Sequence, residues 1–592
     1  LDRVPTLSCL ITSRQLLRLE GEREFAVSPL PIPGPADTPE QLASCESVQL
    51  FVDRAKAVRA DFQLTPQNAP VVAALCIRLE GIPLAIELAA ARAQVSTPTQ
   101  MLSQIENRFH FLVSRRRDAI DRHRTLRAAI EWSFRLLPPE LQRFFAQLSV
   151  FQGGWTVERA QAVCSEPLAL ECLAQLREHS LVLAEESEQG MRFRMLETLR
   201  EYAAEQLAEE ERAACRRLHA DHYLALAEQE DSQPQRDDSK MLLYTDYDNV
   251  RAAFEWYDAR PDGAESGLRL ACAVWRSWGG PYHQEGRVWL AKLLEKEGVP
   301  MPLRAKALNM AGILAQVSGD YAAACAYYER SLAIRRELDD RPGVAKVLGN
   351  MAFPVLCLGD HVRAASLYEE SRLLSTQLQR KDGIASALRG LGLAAFYGGD
   401  YPQARSHLEQ SLALRREIGT KANISVLHGN LGQVACAEGD YAAARSFFEQ
   451  AHAMASSQGS FNFGGLCGLA EVSRCEGSLP AARAQYRHLL RLLDPEAYPN
   501  TILWPYFLLE RYAAVLETQG LAQPAAQLCA AAEAQREALG IIQSPVAHLA
   551  FLDRLLPALR DRLGAAAFSA AWLQGRQRTL KQAIALAIQE GE

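Results

Sequence analysis

The stretch Gly319-Asp320-Tyr321 marks a unit that recurs through the C-terminal half of the chain. Gly-Asp pairs stand at residues 319–320, 359–360, 399–400 and 439–440, each 40 residues after the one before. A fixed period of about 20 to 50 residues is typical of a solenoid, in which similar units stack along one axis. The sequence therefore predicts a repeat array in this half of the chain.

Residues at fixed distances from each of these glycines agree in size. A small residue stands seven positions before the Gly, an Ala five after it, a large residue nine after it and a small residue twelve after it. Small residues let two helices cross at close range while a large side chain fills the gap. The four sets are Gly312, Ala352, Gly392 and Gly432; Ala324, Ala364, Ala404 and Ala444; Tyr328, Tyr368, Leu408 and Phe448; Ser331, Ser371, Ser411 and Ala451.

This pattern resembles the tetratricopeptide repeat, in which each unit is a pair of helices, with helices longer than in the common form of about 34 residues. Weaker copies follow at Gly477 and Gly520, and a degenerate copy precedes the array at residues 267–294. We expect six or seven helical hairpins, the outer ones acting as caps.

Composition places the chain among ordinary globular proteins. Its 592 residues are enough for three or more domains. The net charge of −7 argues against a general nucleic-acid-binding surface. The 13 cysteines form no CxxC pair, and no apolar run reaches the roughly 18 residues of a membrane span. We therefore expect a cytoplasmic protein that makes no contact with a membrane.

The first residues read as a strand with a basic end. The run Leu7–Ile11 is apolar and leads into Thr12-Ser13-Arg14, as in a buried parallel strand that delivers Arg14 to the carboxyl edge of a sheet. Ligands bind at such edges, although a purely structural role for Arg14 stays equally open. Further on, a helix is predicted to begin at Thr65-Pro66 and to end at Gly81, ahead of Pro83.

Thr12-Ser13-Arg14, the proline-rich bridge after it, Leu50-Phe51 and the stretch Gly81-Ile82-Pro83-Leu84-Ala85 together resemble the nucleotide-binding region of bacterial STAND signalling ATPases, relatives of the NB-ARC proteins. The resemblance implies that Arg14 senses the terminal phosphate of a nucleotide. It also implies that the Gly81 turn places Pro83 against adenine. The alternative, that this turn merely joins two helices, stays open.

The next stretch, from His123 to Trp155, also resembles this family, where it forms a winged-helix domain. Two alternating runs at residues 181–183 and 191–195 flank a polar turn, as a wing hairpin requires. The family uses this domain as an internal lever on the nucleotide, and the acidic wing residues Glu185 and Glu186 would repel phosphates. We therefore expect no direct DNA binding.

Two departures from the family pattern limit the nucleotide chemistry. Met195-Leu196-Glu197 stands where relatives often carry Met-His-Asp, and leucine cannot donate a hydrogen bond to a phosphate. The sequence also has no Gly-x-x-x-x-Gly-Lys-Ser/Thr loop and no apolar strand ending in a magnesium-binding Asp. We expect that this chain is not an enzyme, and that ADP or ATP binds only together with an N-terminal half upstream of Leu1.

A binding groove is predicted within the repeats. In a superhelix of hairpins the first helix of each pair lines the concave wall. Asn350 and Asn430 occupy equivalent positions there, and Arg389 lies nearby in the intervening repeat. Amides beside a basic side chain suit a peptide backbone or a carboxylate. We expect a protein, a peptide or a small inducer in this groove. An alternative that stays equally open is that the two asparagines only join neighbouring helices. Oligomerisation driven by the ligand also stays open.

These observations predict a mostly α-helical chain. The expected domains are the remnant of an α/β P-loop ATPase sheet at 1–35, a helical Gly-x-Pro domain at 36–120, a winged helix with a small β-hairpin wing at 121–212, a helical connector with a degenerate repeat at 213–300, and a tetratricopeptide α-solenoid at 301–592. We expect a regulator of signal transduction or transcription whose array couples a ligand to a nucleotide-dependent switch. The alternative is a nucleotide-independent interaction scaffold.

One pair of histidines needs a separate interpretation. His219 and His222 stand three residues apart on a predicted helix, close enough to share a metal ion. No third ligand is evident in the sequence. We therefore interpret this segment as a solvated helix and expect no metal site.

Overall fold

The computed structural model describes residues 27–34, 39–104, 126–187, 190–232, 245–279, 282–457, 462–493, 504–538 and 546–589. They belong to two compact units, which we call unit one (Leu1–Leu226 with Leu242–Trp256) and unit two (Ala227–Met241 with Tyr257–Glu592). Among these described residues, no helix combines the length and the apolar character that crossing a membrane requires.

The first described helices of unit one are short and surround an apolar core that contains Phe51, Leu75 and Ile86. The helix predicted to begin at Thr65-Pro66 in fact begins at Ala69, because Thr65 and Asn68 exchange hydrogen bonds in a turn before it. The elements are α1 (Pro39–Ser44), α2 (Glu46–Val58), α3 (Ala69–Arg78), α4 (Pro83–Ala90), a 3-10 turn (Ala91–Gln94) and α5 (Pro98–Gln104).

The predicted winged helix follows. Its sheet has the order β1-β3-β2, all antiparallel, and the predicted hairpin wing is the pair β2 and β3. Trp155 pairs with Phe193 across β1 and β3, and both side chains are buried. The elements are α6 (Leu126–Arg135), α7 (Pro139–Gln147), a 3-10 turn (Leu148–Val150), β1 (Gly154–Trp155), α8 (Val157–Cys164), α9 (Ala169–Glu178), β2 (Leu183–Ser187), β3 (Gly190–Arg194) and α10 (Glu197–Glu205).

The remaining described elements are all helical. Seven consecutive hairpins run from α13 to α26, which agrees with the predicted six or seven, and three more helices follow. The helices are α11 (Glu209–Asp231), α12 (Tyr247–Asp258), α13 (Ala264–Val274), a 3-10 helix (Trp275–Gly279), α14 (His283–Leu294), α15 (Met301–Val317), α16 (Tyr321–Glu337), α17 (Arg341–Cys357), α18 (His361–Gln377), α19 (Lys381–Gly398), α20 (Tyr401–Ile418), α21 (Lys421–Glu438), α22 (Tyr441–Ser456), α23 (Phe463–Cys475), α24 (Leu479–Leu492), α25 (Trp504–Thr518), α26 (Ala522–Ala538), α27 (Val546–Leu563), α28 (Ala565–Arg576) and α29 (Leu580–Gln589).

Each Gly-Asp pair forms the turn between the two helices of a hairpin. The four glycines have φ between +78° and +103°. This left-handed conformation ends the first helix, and it is unfavourable for residues other than glycine. The Asp that follows accepts a hydrogen bond of 2.8 to 3.1 Å from the backbone N–H three residues later and so caps the second helix. A cap of this kind stabilises a helix by about 0.5–2 kcal/mol.

The small and large positions of the repeat meet as predicted. A Cβ built on Gly312 would lie 2.5 Å from the ring of Tyr328, and one on Gly432 would lie 2.7 Å from the ring of Phe448. Gly392 is related to Leu408 in the same way, at 2.7 Å. In these three hairpins the first helix therefore carries glycine where the large side chain of the second helix packs against its backbone.

The serines of the repeat also form hydrogen bonds between the two helices of a hairpin. Ser331, Ser371 and Ser411 each donate a hydrogen bond of 2.7 to 2.8 Å to the carbonyl of an Ala 26 residues earlier, on the first helix of the same hairpin. In the fourth repeat this position is Ala451, and the direction is reversed, because Ser425 on the first helix donates to the Ala451 carbonyl at 2.8 Å. One buried hydroxyl thus ties the two helices of each of these hairpins.

Candidate functional site

A cavity of about 880 Å³ lies inside the repeat array. Most of its lining comes from the first helices of successive hairpins, as the sequence predicts for the concave wall. Aromatic side chains form much of the wall, and among them are Tyr321, Phe353, Phe396, Tyr397, Tyr401 and Phe507. A largely apolar cavity of roughly 300–1,000 Å³ with a few polar groups is the usual form of a small-molecule site.

A partly buried cluster of charges lines the cavity. The carboxylate of Glu471 binds Arg474 at 2.7 Å and Arg511 at 2.9 Å, and it accepts a hydrogen bond of 2.8 Å from the hydroxyl of Tyr486. Burial by itself raises the pKa of Glu471, but the two guanidiniums and the Tyr486 hydroxyl outweigh it and lower that pKa to about 2. Glu471 is therefore ionised at neutral pH and holds two cations in place.

Helix α27 closes this side of the array. It packs against α19, the first helix of the hairpin formed by α19 and α20. Its Phe551 is buried, and the guanidinium carbon of Arg511 lies 3.8 Å from the centre of its ring. Both Phe551 and Arg554 of this helix line the cavity. The concave surface is thus partly covered by a helix of the chain itself.

The structure brings two of the three predicted groove residues to this cavity. Arg389 on α19 and Asn430 on α21 both line it. The Oδ1 atom of Asn430 is buried and has no hydrogen-bond partner among the described residues. Asn350 is not part of the lining; its amide donates a 3.0 Å hydrogen bond to Asn309 and ties α17 to α15. Asn350 therefore fits the structural alternative.

The residues predicted for nucleotide binding lie in unit one. Arg14 falls outside the described residues. Gly81 has φ +68°, and a Cβ on it would lie 2.0 Å from the carbonyl oxygen of Leu30, so only glycine fits beneath the 27–34 segment. Pro83 occupies the first turn of α4 and is exposed. The turn thus has a packing reason for its glycine, and it leaves the face of the proline accessible.

Sequence reasoning missed the residue beside this turn. Glu80 accepts hydrogen bonds from the backbone N–H groups of Glu197 at 2.8 Å and Thr198 at 3.3 Å, the first two residues of α10. A helix N-terminus favours a negative charge. The N-terminus of α10, which begins at Glu197 of the Met195-Leu196-Glu197 stretch, is therefore occupied by a carboxylate of the chain itself.

The histidine pair is not the solvated segment that we expect from the sequence. The ring of His219 is buried, and its Nε2 atom lies 3.1 Å from Oδ1 of Asn249. Asn249 also accepts from the backbone N–H of Gln152 and donates to the carbonyl of Gly154. Burial lowers the pKa of His219 to about 4, so the ring is neutral at neutral pH. In the described part of the chain, no group of three metal-ligating side chains occurs.

Next to this network lies a buried carboxylate with two cationic partners. Asp246 binds Arg159 of α8 at 2.5 Å and Arg192 of β3 at 2.6 Å, and its side chain is fully buried. Nothing in the sequence distinguishes this Asp from its exposed neighbours, since its two partners lie far away along the chain. The cluster ties residues 245–249 to the winged helix within unit one.

Two protein families match parts of the chain. Residues 303–377 and 383–457 match the tetratricopeptide repeat, and residues 137–208 match the winged helix-turn-helix domain. The predicted array and the predicted winged helix are both confirmed.

The chain is also similar to whole proteins. It is 33% identical over 366 residues to a putative HTH-type transcriptional regulator of Mycobacterium tuberculosis, across 59% of this chain and 40% of that protein. It is 34% identical over 211 residues to an uncharacterized protein of the same organism, across 35% of this chain and 51% of that protein. The chain thus spans about half or less of the curated relatives that it matches.

Solved structures are similar at lower identity. One is a STAND protein with a tetratricopeptide repeat sensor from Pyrococcus horikoshii, 14% identical, with a TM-score of 0.47 over 94% of this chain and 75% of that chain. The family matches agree with the architecture that the STAND resemblance implies. The chain therefore combines a winged helix-turn-helix domain with a tetratricopeptide repeat array, and over 366 residues it is similar to a putative HTH-type transcriptional regulator of Mycobacterium tuberculosis.

Proposed function

We propose that this chain is the sensing part of a STAND-type regulator. A ligand binds in the cavity of the repeat array, and its binding is coupled to a nucleotide-dependent switch that includes Arg14, Gly81 and Pro83. The observation that carries the proposal is the cavity itself, a space of about 880 Å³ with aromatic walls and several charged groups. A packed array that served only as a spacer would have no reason to keep such a space open.

The winged helix is proposed to act within the protein and not on DNA. Helix α9 is the second of two consecutive helices and would be the one to enter a DNA groove. Its exposed side chains include Leu170, Glu171 and Gln175, with Arg177 as its one basic residue. Phosphate binding depends on clustered Lys and Arg side chains. This surface therefore suits a protein contact better than a DNA contact.

The sensor proposal is tested by thermal unfolding with a fractionated bacterial metabolite extract. A ligand at about 100 times its Kd stabilises the folded chain by about 2.7 kcal/mol, so at least one fraction should raise the melting temperature. The same fraction should have no effect on Ala437→Trp, which fills the cavity from α21. The matched control is Glu449→Trp, which adds the same side chain at an exposed position of α22 and should respond like the parent.

One result of this experiment would contradict the sensor proposal. A stabilising fraction that acts on Ala437→Trp as strongly as on the parent binds elsewhere on the chain. In that case the cavity is not the sensor.

One observation favours the second candidate, a scaffold that works without nucleotide. The Glu80 carboxylate already occupies the N-terminus of α10, next to the position where the STAND resemblance implies a contact with a phosphate of ADP. A second anion there would meet like-charge repulsion at close range. The scaffold interpretation keeps partner binding by the repeats and drops the nucleotide from the mechanism.

A further inference from the structure

We infer that the cavity of the array binds a small organic anion with an aromatic or apolar body, and that Arg389 is its counter-ion. The inference rests on the sensor function proposed above and adds the chemical class of the ligand. It starts from the charges that line the cavity, where four arginines stand against two glutamates.

The two glutamates already have cationic partners. Glu438 is paired with Arg405, which lies outside the lining. Glu471 binds both Arg474 and Arg511, so that one carboxylate serves two guanidiniums. Within the described residues, Arg389 has no carboxylate partner and no hydrogen bond, although it is half-buried. A partly buried cation is costly without an anion nearby, and here a ligand would supply it.

The same cavity offers an unused acceptor. The buried Oδ1 atom of Asn430 has no donor among the described residues. A buried polar atom without a partner costs about 1–3 kcal/mol, and a ligand N–H or O–H group would remove that cost. The ligand that fits best therefore carries both an anionic group and a hydrogen-bond donor.

The aromatic side chains of the lining determine which kind of uncharged ligand portion fits the cavity. Tyr321, Phe353, Phe396 and Tyr401 present rings to the cavity, and flat apolar or aromatic groups pack well against such rings. The size and the cover favour a small molecule over an extended peptide. Helix α27 contacts α19 and places Phe551 against Arg511, so part of the concave surface that an extended chain would occupy is already covered.

The test uses two dyes with the same ring system. Anilinonaphthalene sulfonate carries an anionic group and an N–H donor, whereas N-phenylnaphthylamine has the same rings and N–H but no charge. We expect the anionic dye to bind the parent chain at one saturable site. Arg389→Gln should weaken that binding by about tenfold or more, because a hydrogen bond to a charged group is lost, and should leave the neutral dye unaffected.

Three further variants control for folding and location. Asn430→Asp adds a negative charge to the cavity and should weaken the anionic dye as well. Arg363→Gln removes an exposed arginine of α18 that is paired with Glu329 outside the cavity, and it should change neither dye. Ala437→Trp should abolish both. Melting temperatures identify any variant that is unfolded, and Asn430→Asp then replaces Arg389→Gln as the decisive variant.

Three results would overturn the inference. If both dyes bind equally well and neither Arg389→Gln nor Asn430→Asp changes the anionic dye, the cavity selects no anion, while the sensor proposal stands. If the anionic dye binds Ala437→Trp like the parent, or is displaced only by extended peptides whether or not they carry a terminal carboxylate, the site is not the one inferred. The metabolite experiment above then decides the sensor proposal by itself.

Discussion

Replacing Phe448 by Ala should lower the free energy of unfolding of the repeat array by about 3–5 kcal/mol, the usual cost of deleting a buried aromatic side chain. The ring is almost fully buried between two first helices. A Cβ on Gly432 of its own hairpin would lie 2.7 Å from the ring, and one on Gly468 of the next hairpin would lie 2.3 Å from it. Its loss leaves a space that neither glycine can fill.

The measurement is urea unfolding followed by far-ultraviolet circular dichroism. Phe448→Leu is the matched control, because Leu408 occupies the same position in the preceding repeat and packs against Gly392. It should cost less than half as much as the Ala variant. Glu449→Ala, at the exposed neighbouring position, should have almost no effect. Equal losses for the Ala and Leu variants would mean that the ring does not connect the two hairpins.

Replacing Asp246 by Ala should destabilise unit one by about 3–5 kcal/mol, because it leaves two buried cations without their shared anion. The side chains of Arg159 and Arg192 are 7% and 16% exposed, so water cannot take over the role of the carboxylate. The same unfolding measurement applies to this variant.

The control for this substitution lies two residues away. Asp248 pairs with Arg251 on the surface and is 62% exposed. An exposed pair of this kind contributes about 0–1 kcal/mol, so Asp248→Ala should change little. If the two Asp variants lose the same stability, the buried cluster is not what holds residues 245–249 to the winged helix.

The fold of the array could be predicted because its determinants are local and repeated. Each glycine at a turn and each Asp after it acts within one hairpin, and the pairing of Gly432 with Phe448 follows from helical geometry alone. The serine ties were not predicted, because Ser331 reads only as a small residue until its hydroxyl is seen to reach a carbonyl 26 residues earlier. Contacts between neighbouring repeats, such as Gly468 with Phe448, were missed for the same reason.

The candidate site depends on distances that a sequence does not contain. Asn350 and Asn430 are equivalent in the repeat, yet only Asn430 lines the cavity, whereas the amide of Asn350 is hydrogen-bonded to Asn309. The covering of the cavity by α27 depends on its contact with α19, which lies far away along the chain. In unit one, the roles of Glu80, Asp246 and His219 each depend on a partner at least 30 residues away along the chain.

The most direct test of the central claim, that the cavity of the array is a ligand site, is amide hydrogen exchange along the whole chain with and without saturating anilinonaphthalene sulfonate. We predict slower exchange in α19, α21 and α23, the first helices that carry Arg389, Asn430 and Glu471, and unchanged exchange in α18, which contributes no residue to the lining of the cavity. Protection confined to α18, or to unit one, would contradict the claim.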